Sequence, residues 1–370
     1  GACTLYHPVE EYKEFDVEET KAVNINGNKI SEICPTYRGR FFDKEIDIVK
    51  TAIDYGFTSL LYDEETWSRS GPLICYCDRC KERFKEFLKE KYPDLEYIDP
   101  QVFEKSPSSY PELDNAFWDF KTSMVQEIYQ IIKEEAVKYA GRDIKIGAYV
   151  YSSIGEGGRY GAIYHSLTDY TKLSKPLDFI IPMVYTDYSK SIGDIVSLTF
   201  KHTNRDAKTF IALSPARTYE YERVITQNYP SPIAIKYQML EAFAAGGEGI
   251  LIWSPASCLE GALSYKYISE AIKMISPVEE IISEGSPITN FSSSNKDVHI
   301  RGMVYQNKAV ILAAEYSNDP VKTKITYQVN KEMNVYDLAT GEVITKISPS
   351  NPVFEVNIDG ERVRLFYIRE

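Results

Sequence analysis

The sequence predicts an α/β fold, a (β/α)8 TIM-type barrel, followed by a C-terminal all-β sandwich. Three observations predict it. Over residues 1–275, short apolar runs alternate with amphipathic stretches of helical period. Polar and aromatic residues gather directly after those runs, where a barrel carries its active site. From about residue 298 the pattern changes to closely spaced runs that alternate or are continuously apolar, divided by turn residues. A chain of 370 residues has room for both parts, since one barrel uses about 250 residues.

The barrel strands are expected at 2–6, 58–62, 144–152, 178–185, 209–214 and 249–253. Each is an apolar run bounded by Gly, Pro or polar residues, as buried parallel strands are. The helix at 83–91 places Phe84, Phe87 and Leu88 on one face. The helix at 115–139 does the same with Phe117, Phe120, Met124, Ile128, Ile131 and Ile132. The helix at 233–245 stops at Gly246-Gly247. These are six strands where a barrel needs eight. Either irregular strands lie within 15–33, or the chain lacks the first strands of the barrel.

The β part follows a Ser- and Asn-rich linker at 286–296. Its strands are expected at 298–305, 309–316, 322–329, 334–337, 353–358 and 362–368. The turns between them include Asn318-Asp319-Pro320, Thr340-Gly341 and Asp359-Gly360. The expected domains are therefore 1–284, the barrel, and 297–370, the sandwich.

Composition narrows the function. Asp and Glu number 54 against 42 Lys and Arg, a net charge of −12, which argues against a nucleic-acid partner. No run of 18 apolar residues exists, so no membrane helix is expected. No basic, apolar leader is visible at residue 1, and cytoplasmic and secreted locations both fit. The 29 Tyr serve either dense packing of the kind a thermophile uses or sugar or peptide recognition. Only four His occur, scattered along the chain, which argues against a His-rich metal centre or a His-based triad.

The sharpest local signal is Cys75-Tyr76-Cys77-Asp78-Arg79-Cys80, three thiols leading into a helix. That spacing predicts a metal site. A tetrahedral zinc needs a fourth ligand. Cys34 is the first choice, with Cys3 and Cys258 as competitors. A disulfide is the alternative, although Cys75 and Cys77 are too close in sequence for a relaxed bridge. Four thiolates leave no open position, so such a zinc is structural.

The run 75–92, behind an acidic strand end, resembles glycoside hydrolase family 42, the β-galactosidases. In that family an acid/base Glu after the fourth barrel strand precedes a Cys-Tyr-Cys-x-x-Cys run, and Cys-Pro stands upstream, as Cys34-Pro35 does here. The resemblance implies a structural zinc held by Cys34, Cys75, Cys77 and Cys80. Residues 242–253 resemble the family's last strand. The likeness also implies that residue 2 begins the third barrel strand, the first two being absent or supplied by another chain. Two departures stand out. The family's Asn-Glu is Tyr62-Asp63-Glu64-Glu65 here, and Ala212-Leu213-Ser214-Pro215 carries no carboxylate where the family has its nucleophile. A second similarity is to family 18 chitinases. It rests on Asp63-x-Glu65, Met183-Val184-Tyr185 and Trp253. It implies hydrolysis assisted by the substrate's own N-acetyl group.

Glycoside hydrolysis needs two carboxyls flanking the sugar, one kept neutral as proton donor. Asp63, Glu64 and Glu65 crowd one strand end, which raises at least one pKa by like-charge repulsion. Alternation points one of Glu64 and Glu65 into the barrel mouth. Asp187, just past its strand, is the first choice for the second carboxyl, then Glu220. Tyr185 and Trp253, with Trp67 close behind the acidic triplet, are expected to line a sugar subsite. Glu248 precedes the last strand and is expected to be structural. The expected function is glycoside hydrolysis of a β-linked glycoside or oligosaccharide, with a carbohydrate substrate and either a homo-oligomer or a segment from another chain completing the barrel. The alternative is a degenerate barrel that binds carbohydrate or serves as a structural module.

Overall fold

The computed structural model describes residues 2–3, 17–63, 75–152, 166–185, 189–214, 232–253, 262–316, 320–359 and 362–370. Among the described residues, eight strands precede the β sheets of the C-terminal part. They are β1 (Ala2–Cys3), β2 (Lys21–Val23), β3 (Lys29–Ile33), β4 (Ser59–Asp63), β5 (Lys145–Tyr151), β6 (Phe179–Val184), β7 (Lys208–Leu213) and β8 (Gly249–Ile252). Six of them form one sheet in the order β1-β4-β5-β6-β7-β8. Its resolved pairings are parallel: Ala2 opposite Leu61, Leu61 opposite Gly147, and Ile211 opposite Ile250. These are the six strands expected, in chain order, in one sheet.

The seven longer or sheet-packing helices are α1 (Arg40–Asp54), α2 (Asp78–Lys91), α3 (Pro111–Ala140), α4 (Ser189–Thr203), α5 (Ala234–Ala244), α6 (Ala262–Ile275) and α7 (Glu279–Glu284). Helix α3 starts with Pro111 in its first turn, where a missing N–H costs nothing, and ends at Gly141 with φ +62°. At 30 residues it spans about 45 Å. It therefore serves two cores. Phe117, Phe120 and Met124 meet Phe84 and Phe103, whereas Val125, Ile128, Tyr129 and Ile132 meet Leu60, Tyr62 and Ile146.

Two compact units result: Gly1–Pro182 with His202–Lys208, and Met183–Lys201 with Thr209–Glu370. The second holds two antiparallel sheets. One joins β10 (Phe291–Ser293), β13 (Val321–Tyr327) and β16 (Val353–Ile358). The other runs β15-β14-β17-β12-β11-β9, from β9 (Ser286–Pro287), β11 (His299–Tyr305), β12 (Lys308–Ala314), β14 (Met333–Asp337), β15 (Val343–Ile347) and β17 (Val363–Arg369). Alternate residues of β12 go to opposite faces. Ala309, Ile311 and Ala313 enter the core shared with Ile325, Phe354 and Val356. Val310, Leu312 and Ala314 enter a core with Leu240, Met274 and Ile281 of the helices. A strand covered on both faces reads as a continuous apolar run, which is why this segment shows no alternation.

Of the two alternatives for the missing strands, the stretch 15–33 contributes no barrel strand among the described residues; β2 and β3 form a separate antiparallel hairpin. One expectation changes. The linker at 286–296 is not a bare connection, because β9 and β10 lie in it and pair with β11 and β13.

Candidate functional site

The hairpin β2–β3 builds the clearest site. Cys34 follows β3, and its N–H donates to Thr20 O at 2.9 Å. Across from it, Val23 N–H donates to Cys75 Sγ at 3.3 Å, and Tyr76 N–H to Val23 O at 2.9 Å. Cys77 is the N-cap of α2 and Cys80 lies in its first turn. The four Sγ atoms of Cys34, Cys75, Cys77 and Cys80 lie within 4.8 Å of one another. Cys34 Sγ is 3.6 Å from Cys77 Sγ and 3.4 Å from Cys80 Sγ. None of the four forms a disulfide. A tetrahedral metal with M–S of about 2.3 Å sets its sulfurs about 3.8 Å apart; the two measured spacings fall a few tenths of an ångström short of that, and all four sulfurs lie within 4.8 Å. Cys34 is thus the fourth member; Cys3 has no described side chain and Cys258 lies outside the described residues.

The chemistry of the donor set fits a cation. Hydrogen bonds from Cys75, then Cys77 and Cys80, hold the Cys34 thiol well below its ordinary value. Hydrogen bonds with Cys34, then Cys75 and Cys77, push Cys80 well up. Four sulfurs converging on one point share protons poorly, and a dication held by Cys34, Cys75, Cys77 and Cys80 would take the place of those protons. The α2 N-terminus favours thiolates there. Burial opposes the Arg79 charge, yet the Cys34 thiolate beside it more than compensates and raises its pKa. Arg79 also lies 5.1 Å over the Tyr37 ring and donates to Glu19 O at 3.2 Å.

At the strand ends, Asp63 closes β4, half-buried and in register with Tyr149 of β5. Burial, then the Asp63 charge, raises the Tyr149 phenol. Tyr185 follows β6 with 48% of its surface exposed, and Trp253 follows β8 with 52% exposed. Glu64, Glu65, Trp67, Asp187 and Glu220 lie outside the described residues. Glu248 sits ahead of β8, where its Oε2 accepts from Thr209 N–H at 3.2 Å, in keeping with a structural role.

Sequence patterning missed one polar cluster. Glu241 on α5 is fully buried. Its Oε1 accepts from the Tyr316 hydroxyl at 2.6 Å, and its Oε2 lies 2.5 Å from Arg301 Nε. Arg301 also donates to Asp194 Oδ1 at 2.9 Å, Ser197 Oγ at 3.3 Å and Lys190 O at 3.4 Å. The guanidinium runs across α4 at Gly193, where an added Cβ would stand 2.3 Å from Arg301 Cζ. Gly193 within a helical stretch is a sequence trace of this arrangement; the burial of Glu241 and Arg301 is not, and the two lie far apart in the chain.

No family model matches the chain, and no curated protein matches it by sequence. Solved structures do. A catalytic mutant of a GH42 β-galactosidase from G. stearothermophilus aligns at TM-score 0.62 and 11% identity, over 99% of this chain and 87% of that one. A β-galactosidase from Bacillus circulans sp. alkalophilus aligns at TM-score 0.60 and 9% identity, over 98% and 88%. A GH27 β-L-arabinopyranosidase from Geobacillus stearothermophilus aligns at TM-score 0.50 and 8% identity, over 88% of this chain and 61% of that one. This chain thus spans about 61% of the length of the arabinopyranosidase. The fold is that of TIM-barrel glycoside hydrolases with C-terminal β domains.

Proposed function

We propose that the protein is a glycoside hydrolase of the family 42 type that cleaves a β-linked glycoside or short oligosaccharide by carboxylate acid/base chemistry. The observation that carries this is the likeness in fold to glycoside hydrolases, with Asp63 closing β4, Glu64-Glu65 next in the sequence, and exposed Tyr185 and Trp253 following two further strands. Glu64 or Glu65 is the proton donor to the leaving oxygen, and Asp187 the second carboxyl. Asp63 supplies the negative charge that keeps its neighbour protonated. Tyr185, Trp253 and Trp67 offer faces for sugar rings. Cys34, Cys75, Cys77 and Cys80 hold a structural zinc that ties the hairpin to α2. Residues 1–284 and 297–370 are the two domains.

The absence of a carboxylate in Ala212-Leu213-Ser214-Pro215 favours a second reading, a barrel that binds carbohydrate without turnover. Turnover of a panel of nitrophenyl glycosides separates the two. Glu64→Gln or Glu65→Gln, whichever removes the donor, lowers kcat about 10²–10⁴-fold on poor leaving groups, and less on activated aryl glycosides. Turnover unchanged in both variants defeats the hydrolase assignment.

A further inference from the structure

A cavity of about 460 Å³ opens in the second unit between the start of β11, the end of β12 and the first turn of α4. Its polar lining is Lys190, Lys296, Asp297, His299, Glu315 and Tyr316. None of these is among the residues assigned to hydrolysis or to the metal. The volume lies within the range of about 300–1,000 Å³ usual for small-molecule sites.

Buried groups stand behind this lining. Glu241 is fully buried and fixes the Tyr316 hydroxyl at 2.6 Å, while 37% of the Tyr316 residue surface stays exposed. Arg301, 8% exposed, donates from Nε to His299 Nε2 at 2.9 Å. His299 Nε2 also lies 3.6 Å from Glu241 Oε2, so the ring is held between the guanidinium and the buried acid. Around these rigid groups stand two ammonium groups, Lys190 and Lys296, and two carboxylates, Asp297 and Glu315. Their charges cancel. A cavity of zero formal charge exerts little pull on a phosphate or carboxylate ligand. It does offer donors and acceptors interleaved beside an aromatic face. A polyhydroxylated ring needs that combination, since its hydroxyls both donate and accept while its C–H face stacks.

We propose that this cavity is a second saccharide-binding site, taking a neutral mono- or disaccharide unit. It goes beyond the hydrolase reading and uses none of the carboxylates on which that reading depends. The test is ligand-observed NMR and calorimetry on the full chain, with methyl β-D-galactopyranoside, lactose and maltose as saccharide probes and sodium phosphate and acetate as anion probes. Lys296 and Asp297 are exposed, so the double variant Lys296→Ala/Asp297→Ala keeps the fold. The wild type binds at least one saccharide saturably in the millimolar range. The double variant weakens that binding about tenfold, with an unchanged melting curve and unchanged turnover of aryl glycosides. The Glu64→Gln/Glu65→Gln variant binds as the wild type does, so loss of hydrolysis and loss of this site are read separately. The proposal is overturned if no saccharide saturates the protein, if the double variant binds undiminished, or if phosphate or acetate displaces the sugar.

Discussion

Among single residues, Glu45 gives the clearest pH signature. It lies on the buried face of α1 beside Phe41, Phe42 and Val49, with 2% of its surface exposed. Burial alone raises its pKa from 4.5 to about 7. A carboxyl with a raised folded pKa gives its full contribution below the unfolded value and loses it as pH rises through the folded one. Between about pH 4.5 and 7 the chain therefore loses about 3 kcal/mol at this position. Glu45→Gln stays neutral throughout. Thermal melts at pH 4.5 and pH 8.5 should show the variant gaining on the wild type at the higher pH, and parallel pH profiles would contradict the assignment. At this scale the sequence showed the cysteines because their spacing is local. It did not show Glu45 or Glu241, because a buried acid on an amphipathic helix looks like any solvated acid until packing is known.

At the scale of elements, the hairpin β2–β3 is the piece that sequence patterning left ambiguous. It is short, and its polar Lys-Asn-Gly content gives no apolar run to read. Its function comes from tertiary contacts: it carries Cys34 and bonds the Cys75–Tyr76 backbone and sulfur. A metal held by Cys34, Cys75, Cys77 and Cys80 therefore fastens hairpin and α2 together. Elemental analysis should find about one zinc per chain. Chelation, or Cys80→Ser, should release the metal and raise amide exchange in 20–37 and 75–91 before it changes exchange in β11–β17. Metal-free protein with full protection in those segments would refute the site. The parallel strands and α3 were legible because their apolar content is long and periodic. The edge strands β9 and β10 were not, because two or three residues in a Ser- and Asn-rich segment carry no period.

For the whole molecule, the boundary at 286–296 marks a change of secondary structure but not of core. Met303, Val310, Leu312, Val363, Leu365 and Tyr367 of the C-terminal sheet share one core with Leu240, Met239, Met274 and Ile281 of α5, α6 and α7. Burial of a large apolar side chain contributes about 1.5–3 kcal/mol. Six such side chains together contribute on the order of 10 kcal/mol, as much as the total stability of an ordinary domain, about 5–15 kcal/mol. Residues 1–284 and 297–370 can thus be distinct domains in architecture and still depend on each other to fold. A chain cut after residue 284 uncovers the faces of α5 and α7 that pack on β11 and β12, and also leaves Glu241 without Arg301 and Tyr316. Removing one partner of a buried ion pair costs about 3–5 kcal/mol. The fragment 1–284 should therefore be largely insoluble, or bind a hydrophobic dye and lack near-UV circular dichroism. The full chain should melt with the C-terminal sheets and α5–α7 as one cooperative step in hydrogen exchange. A soluble 1–284 fragment with a sharp thermal transition would show instead that the barrel's helices find their own cover, and that the shared core adds little to its stability.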